Sequence, residues 1–156
     1  MDKVVNELRR LFPQVNEVDY RKRGYHLEVI LSAGEVRAFA GVMLDNRFYL
    51  SFVSAVHLAP AVEVVYQFAS HTAPCRVMGR AQVAGDGSIP TISDIYEGAN
   101  WHERETKEMF GVVFSGHPYL EPLLLPEDAT ELKPLLKGEG KAKTAEQVRW
   151  QVEAEK

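Results

Sequence analysis

Val4, Val5, Leu8, Leu11 and Phe12 recur at helical spacing behind Asp2, a residue suited to capping, and Pro13 stops the pattern. The chain is therefore expected to open with an amphipathic helix. VNEVDYRK and YHLEVILS read as two short strands, joined at Arg23-Gly24 as a hairpin. Val36, Phe39, Ala40, Met43 and Leu44 restore the helical period between Ser32 and Asp45-Asn46, which predicts a second helix. Three β-rich runs follow, RFYLSFVSAVHL, AVEVVYQFAS and CRVMGRAQVA, separated by Ala59-Pro60 and by Thr72-Ala73-Pro74. Such short links favour antiparallel neighbours. The expected fold class is α+β: a two-layer domain with a mostly antiparallel sheet, helices packed on one face, and an extended C-terminal arm.

Residues 84–90, AGDGSIP, form a turn-rich connection, and TISDIYEG after it can make one helical turn. A short helix is predicted over 101–110, with Asn100 and Glu103 as a capping pair and Gly111 as the left-handed residue beyond its end. Five of the six positions from Glu103 to Glu108 are charged. Glu103 with Lys107, and Arg104 with Glu108, stand at i, i+4, where each pair supports a helix by ~0.2–0.5 kcal/mol. That pattern alone describes a solvated, salt-bridged helix. The segment after it does not fit so plain a reading, because FGVVF and HPYLEPLLLP set many large apolar groups in a proline-rich stretch with little regular structure to bury them. A charged helix beside an extended apolar arm is the layout of a chain docked onto another subunit. The expected organisation is an α+β domain over 1–117 and a partly flexible arm over 118–156. Within the arm, Thr144 with Gln147 can cap a terminal helix pairing Val148 with Val152, although Trp150 falls off that stripe.

Composition narrows the chemistry. A chain of 156 residues is the size of one domain and can bury a sizeable core, and a net charge of −4 with scattered Lys and Arg leaves no basic stripe for nucleic acid. Cys75 is the single cysteine, so neither an internal disulfide nor an iron–sulfur cluster can be built by this chain alone. The N-terminus mixes charges into its first turns, and no apolar stretch approaches the ~20 residues of a membrane span, so membrane contact is expected only through a partner. His102-Glu103 begins a zinc-protease pattern, but Thr106 occupies the place of its second histidine. His26, His57, His71 and His117 fall on separate elements. Cys75 lies at the start of a strand and reads as a buried structural thiol, and Ala84-Gly85-Asp86-Gly87 fits no phosphate-binding fingerprint. Glu105 and Glu108, one turn apart, keep open a small stand-alone enzyme that uses them with His117 for acid–base work.

ANWHERETKEMFGVVFSGHPYLEPLLLPED resembles the signature of the thirty-kilodalton (C-type) subunit family of respiratory complex I (NADH:quinone oxidoreductase), and of its relatives in energy-converting membrane-bound nickel–iron hydrogenases. The matching positions are Glu103, Arg104, Glu105, Glu108, Met109, Phe110, Gly111, Val112, Phe114, His117 and Pro118. IPTISDIYEGANW and VEVVYQFAS are similar to the family's lead-in and to its last-but-one strand. The likeness is dense over 89–128, looser over 1–88, and thin beyond Asp128. Three positions depart from it: Lys107 replaces a usual aromatic, Glu121-Pro122 replaces a usual basic pair, and ELKPLLKGEGK only echoes the closing motif.

The resemblance implies a non-catalytic subunit, peripheral on the cytoplasmic side of the cell membrane, in an assembly that couples electron transfer to ion translocation. It implies no cofactor in this chain, with iron–sulfur clusters, flavin or nickel–iron held by partner subunits. The partners would be the large quinone-site or hydrogenase-like subunit and a neighbouring iron–sulfur subunit. Its docking interface would use Glu103, Arg104, Glu105, Glu108, Phe110, Gly111, Phe114, His117 and Pro118. The three departures leave the hydrogenase branch open beside NADH:quinone oxidoreductase.

Overall fold

A computed structural model describes residues 2–129 and 131–138. The first helix, α1 (Asp2–Leu11), turns Val5 and Leu8 inward, with Phe12 closing its end. Strand β1 (Gln14–Glu17) runs antiparallel to β2 (Leu27–Leu31), as the hairpin reading requires. Their connection differs from the expected tight turn. It holds one helical turn, α2 (Tyr20–Arg23), because the Asp19 carboxylate accepts the Arg21 N–H and Gly24, at φ 77°, ends it left-handed.

The Glu35 carboxylate accepts both the N–H and the hydroxyl of Ser32 at 2.7 Å, shaping a 3-10 turn that runs into α3 (Val36–Asp45). Val36, Phe39, Ala40 and Met43 are buried along it, whereas Leu44, on the same predicted stripe, stays exposed. Three long strands follow, β3 (Phe48–Leu58), β4 (Ala61–Ser70) and β5 (Arg76–Gln82). The five-stranded sheet has the order β1-β2-β5-β4-β3, antiparallel throughout except for β2 against β5.

Strand alternation divides the side chains between two faces. Leu27 and Val29 of β2, Val64, Tyr66 and Phe68 of β4, and Val77 and Ala81 of β5 enter one core with residues of α1 and α3. At Gly79 this core presses on the strand, since a Cβ there would collide with the Phe39 ring. Phe39 in turn meets Phe12 and Phe68 edge to face at 5.7 and 5.5 Å. The other face carries the small cluster of Tyr25, Val65 and Met78, with Arg80 bridging Glu28 at 2.8 Å and Glu63 at 2.6 Å.

Beyond the sheet, the 84–90 connection proves to contain a strand. β6 (Ser88–Pro90) pairs in parallel with β7 (Val113–Ser115), and its Ile89 and the facing Phe114 are both buried. Between them lies α4 (Ala99–Phe110), ended by Gly111 at φ 79° as its position predicts. From Pro118 to Pro126 the chain forms neither helix nor strand, and a 3-10 turn follows at Glu127–Ala129. The expected helix around Thr144 to Val152 lies outside the described residues.

Candidate functional site

The charged helix α4 is neither solvated nor self-paired. Its N-cap is Gly98, with no side-chain cap, so the Asn100–Glu103 pair does not form. Glu103 points inward instead and is fully buried. Its Oε1 accepts the Ile92 N–H at 2.8 Å, and its Oε2 shares a short hydrogen bond with the Thr91 hydroxyl. Burial raises the Glu103 pKa to about 7, against the opposing pull of the Ile92 and Thr91 bonds. In the ionised form the Thr91 hydroxyl donates to Oε2; in the protonated form Oε2–H donates to Thr91 Oγ1, and the Thr91 hydroxyl turns to Ser93 Oγ at 2.9 Å.

His117 completes the interior side, its Nε2 lying 3.8 Å from Glu103 Oε2. Nδ1 accepts the Tyr119 N–H at 3.0 Å, which places the ring proton on Nε2, where it donates to Asn100 O at 3.2 Å. Burial pushes the His117 pKa down, so the ring is neutral and keeps its acceptor for Tyr119.

Three other charged groups of α4, Arg104, Lys107 and Glu108, reach to the backbone of the segment that follows. Arg104 donates from Nε to Glu121 O at 3.0 Å and from Nη2 to Pro122 O at 2.7 Å, and Lys107 Nζ donates to Leu120 O at 2.5 Å. Glu108 accepts the N–H groups of Leu123 at 2.7 Å, Leu124 at 2.9 Å and Leu125 at 3.3 Å. Cations thus hold the carbonyls of 120–122 and a carboxylate holds the amides of 123–125, the polarity each group demands. The expected ion pairs of Glu103 with Lys107 and of Arg104 with Glu108 give way to these bonds. A segment in neither helix nor strand lacks a regular internal partner for its main chain, and a charge-assisted hydrogen bond is worth ~1.5–3 kcal/mol, several times an exposed i, i+4 pair.

For Glu108, burial is the largest single influence and opposes ionisation. The three amides outweigh it together and hold the carboxyl below its ordinary value. Aromatic faces flank the Arg104 guanidinium, with the Trp101 ring centroid 5.8 Å and the Tyr119 centroid 5.1 Å away. Farther on, the Leu135 N–H returns to Met109 O at 3.1 Å and the Lys137 N–H to His57 Nδ1 at 3.0 Å.

The remaining residues expected at an interface separate by depth. Phe114 is core, Phe110 packs partly buried against it, Gly111 ends the helix, and Glu105 and Pro118 are exposed. Glu105, Glu108 and His117 do not converge. The cavity beside Glu108, about 240 Å³, is lined by Lys107, the 120–122 segment, Glu131 and Lys133, without Glu105 or His117. Among the described residues no group of three His, Cys, Asp or Glu side chains is arranged to hold a metal, and no helix is long and apolar enough to cross a membrane. Trp101, Tyr119, Thr91 and the 120–125 backbone join the site without being singled out by the sequence pattern. The spacing of Trp101 three residues before Arg104 is a usable signal for the first of them, whereas a main-chain ligand leaves no mark on residue type.

Known proteins share both this fold and much of the sequence. The chain is 46% identical over 70 residues to the C subunit of NADH-quinone oxidoreductase from Roseiflexus sp. (strain RS-1), covering 44% of this chain and 40% of that one. It is 42% identical over 77 residues to the C subunit of F(420)H(2) dehydrogenase from Methanosarcina mazei, covering 49% of each. It is 34% identical over 139 residues to the C subunit of NADH-quinone oxidoreductase from Salinispora tropica, covering 81% of this chain and 56% of that one. The chain thus spans about half the length of these curated relatives. Among solved structures, a chain of the membrane-bound sulfane sulfur reductase, an archaeal respiratory membrane complex, shares the fold at a TM-score of 0.74 and 24% identity, over 96% of this chain and 89% of that one. A trypsin-resistant fragment of Nqo5 matches at a TM-score of 0.61 and 25% identity, over 76% of this chain and 98% of the fragment. The family model for the respiratory-chain NADH dehydrogenase 30 Kd subunit matches residues 29–144, and the chain belongs to that family.

Proposed function

We propose that the chain is a peripheral, non-catalytic subunit of a membrane-associated, complex I-like NADH:quinone oxidoreductase. In this reading it docks on the large quinone-site subunit, beside an iron–sulfur subunit, on the cytoplasmic side of the membrane. Cofactors and ion translocation belong to its partners. The α+β body spans 1–117, and residues 118–156 form the arm that reaches the partner.

The observation that carries this reading is the clamp: α4 fixes residues 120–125 in one bent shape by six hydrogen bonds to their main chain, while Trp101, Tyr119 and Leu124 remain exposed. A segment without helix or strand, pre-shaped and displaying large apolar groups, lowers the ordering cost of association and supplies the aromatic anchors that interfaces favour. In this arrangement Glu103, Glu108 and Phe114 act from beneath, and Arg104 with its two rings lies at the rim.

The relatives differ in electron donor, one belonging to an NADH-quinone oxidoreductase and another to an F(420)H(2) dehydrogenase. A common role in assembly accounts for that better than a role in donor chemistry. The hydrogenase-type assembly remains the alternative partner set.

Tagged chain expressed in its native host and recovered from mildly solubilised membranes should bring down a large quinone-site-type subunit and an iron–sulfur subunit in equal amounts. Recovery of the chain alone, or NADH turnover by the isolated chain, would sink the reading, and nickel in the large partner would select the hydrogenase alternative.

A further inference from the structure

A second feature lies where β4 leads into β5, and none of the clamp residues takes part in it: a depression of about 450 Å³ whose lining includes Tyr20, His26, Tyr49, Ser70 and Arg76 and contains no aspartate or glutamate. Two ring pairs stand at it. Tyr20 stacks on His26, and Tyr49 packs on His71, each with centroids 4.5 Å apart.

Arg76 has no carboxylate within ion-pair distance among the described residues. Its Nη1 makes one long contact of 3.4 Å to Gly24 O, and its guanidinium lies 5.8 Å from the Tyr20 ring centroid. His26 is locked beside it by reciprocal bonds: the His26 N–H donates to Arg76 O at 2.9 Å, and the Arg76 N–H donates to His26 Nδ1 at 3.0 Å. That second bond places the ring proton on Nε2, which leaves a donor of fixed position. The exposed Arg21, Lys22 and Arg23 of α2 follow Tyr20 directly, and the neighbouring acid, Asp19, is turned back onto the Arg21 N–H. In a chain of net charge −4 this is a local concentration of positive charge.

We propose that this depression binds a phosphate-bearing ligand, with the Arg76 guanidinium and the His26 Nε2–H on its oxygens and the Tyr20 and Tyr49 rings as side walls. A planar guanidinium fork matches two phosphate oxygens at once. Flanking rings narrow the approach of water, and the cations of α2 draw the anion toward the opening. The same headgroup chemistry belongs to soluble phosphate esters and to anionic phospholipids.

The test is titration of the full chain with pyrophosphate, followed by amide and histidine chemical shifts, in parallel with sedimentation on vesicles of phosphatidylcholine with and without phosphatidylglycerol. A saturable shift centred on His26, Ser70 and Arg76, weakened about tenfold or more in Arg76→Gln, supports the site. Binding in the first assay assigns a soluble ligand, and binding only to the anionic vesicles assigns a lipid headgroup. Ser70→Glu, which sets a like charge at the rim, should abolish binding in the same way and serves if Arg76→Gln does not fold. No binding in either assay, shifts spread over Arg21–Arg23 without His26, or affinity unchanged in both variants overturns the proposal.

Discussion

Glu103 holds a proton near neutrality because its carboxyl sits in a fully buried pocket with no cation at hydrogen-bond distance. Its pKa of about 7 in the folded chain lies above its ordinary 4.5, so the folded state retains a proton that the unfolded state has lost. The contribution to stability is complete below the ordinary value, declines as pH rises through this window, and is gone above the folded value, a change of roughly 3 kcal/mol. Glu103→Gln keeps an acceptor for Ile92 and a donor for Thr91 but cannot ionise. Urea unfolding at about pH 5 and about pH 8 should therefore show wild type losing stability relative to the variant at the higher pH, the His117 contribution being common to both; equal slopes for both would refute the raised Glu103 pKa. At Gly79 the constraint is steric. A methyl group there meets the buried Phe39 ring, itself wedged between Phe12 and Phe68. Gly79→Ala should cost about 1–3 kcal/mol in a denaturant titration, and an unchanged midpoint would mean that the ring has room to move.

At the scale of the element, α4 gains its role by what it grips. Its i, i+4 spacing puts Arg104 and Glu108 on one face, yet that spacing is equally compatible with their bonding to each other or to a third stretch of chain. The arm decides the matter, because its carbonyls and amides must be satisfied and the helix presents the complementary charges in matching order. Glu108→Ala should release residues 123–125 while sparing the sheet. Hydrogen exchange should show the Leu123, Leu124 and Leu125 amides opening about tenfold faster or more, with β4 amides unchanged; protection as in wild type would show that other contacts hold the segment. The depressed Glu108 pKa adds a sign: the clamp contributes stability above the ordinary carboxyl value, and that contribution is lost as acid drops through the folded one.

For the whole molecule, the body stabilises a shaped edge. Trp101 is 65% exposed, Tyr119 57% and Leu124 61%, while the main chain between the last two is pinned from below. Removing exposed apolar side chains takes little from the fold. Trp101→Ala combined with Leu124→Ala should leave the thermal midpoint of the isolated chain within a few degrees of wild type and sharply reduce the yield of the intact assembly. Full yield from the double variant would place the joint elsewhere on the surface. Arg104→Ala differs in kind, since it unseats the arm's carbonyls as well as the two flanking rings. It should lower assembly yield and also raise the susceptibility of the arm to protease, a coupled effect that a purely surface-exposed arginine would not produce.

Helical period at Val5, Leu8, Phe39 and Met43, alternation along β3 to β5, and the left-handed end at Gly111 are all legible in the residues, because each depends on neighbours within a turn or two of chain. The burial of Cys75 follows in the same way from its place at a strand start. Family membership is also written locally, in the dense run from Glu103 to Pro118. The parallel pairings of β2 with β5 and of β6 with β7 are not legible, since they join segments far apart in sequence whose residue types suit either direction. Nor is the inversion of Glu103 from helix cap to buried acid, or the conversion of an apparent salt-bridge ladder into a clamp. Those are decided by tertiary structure alone, because the partner in each case is largely a backbone group, identical in every residue and placed only when the chain has folded.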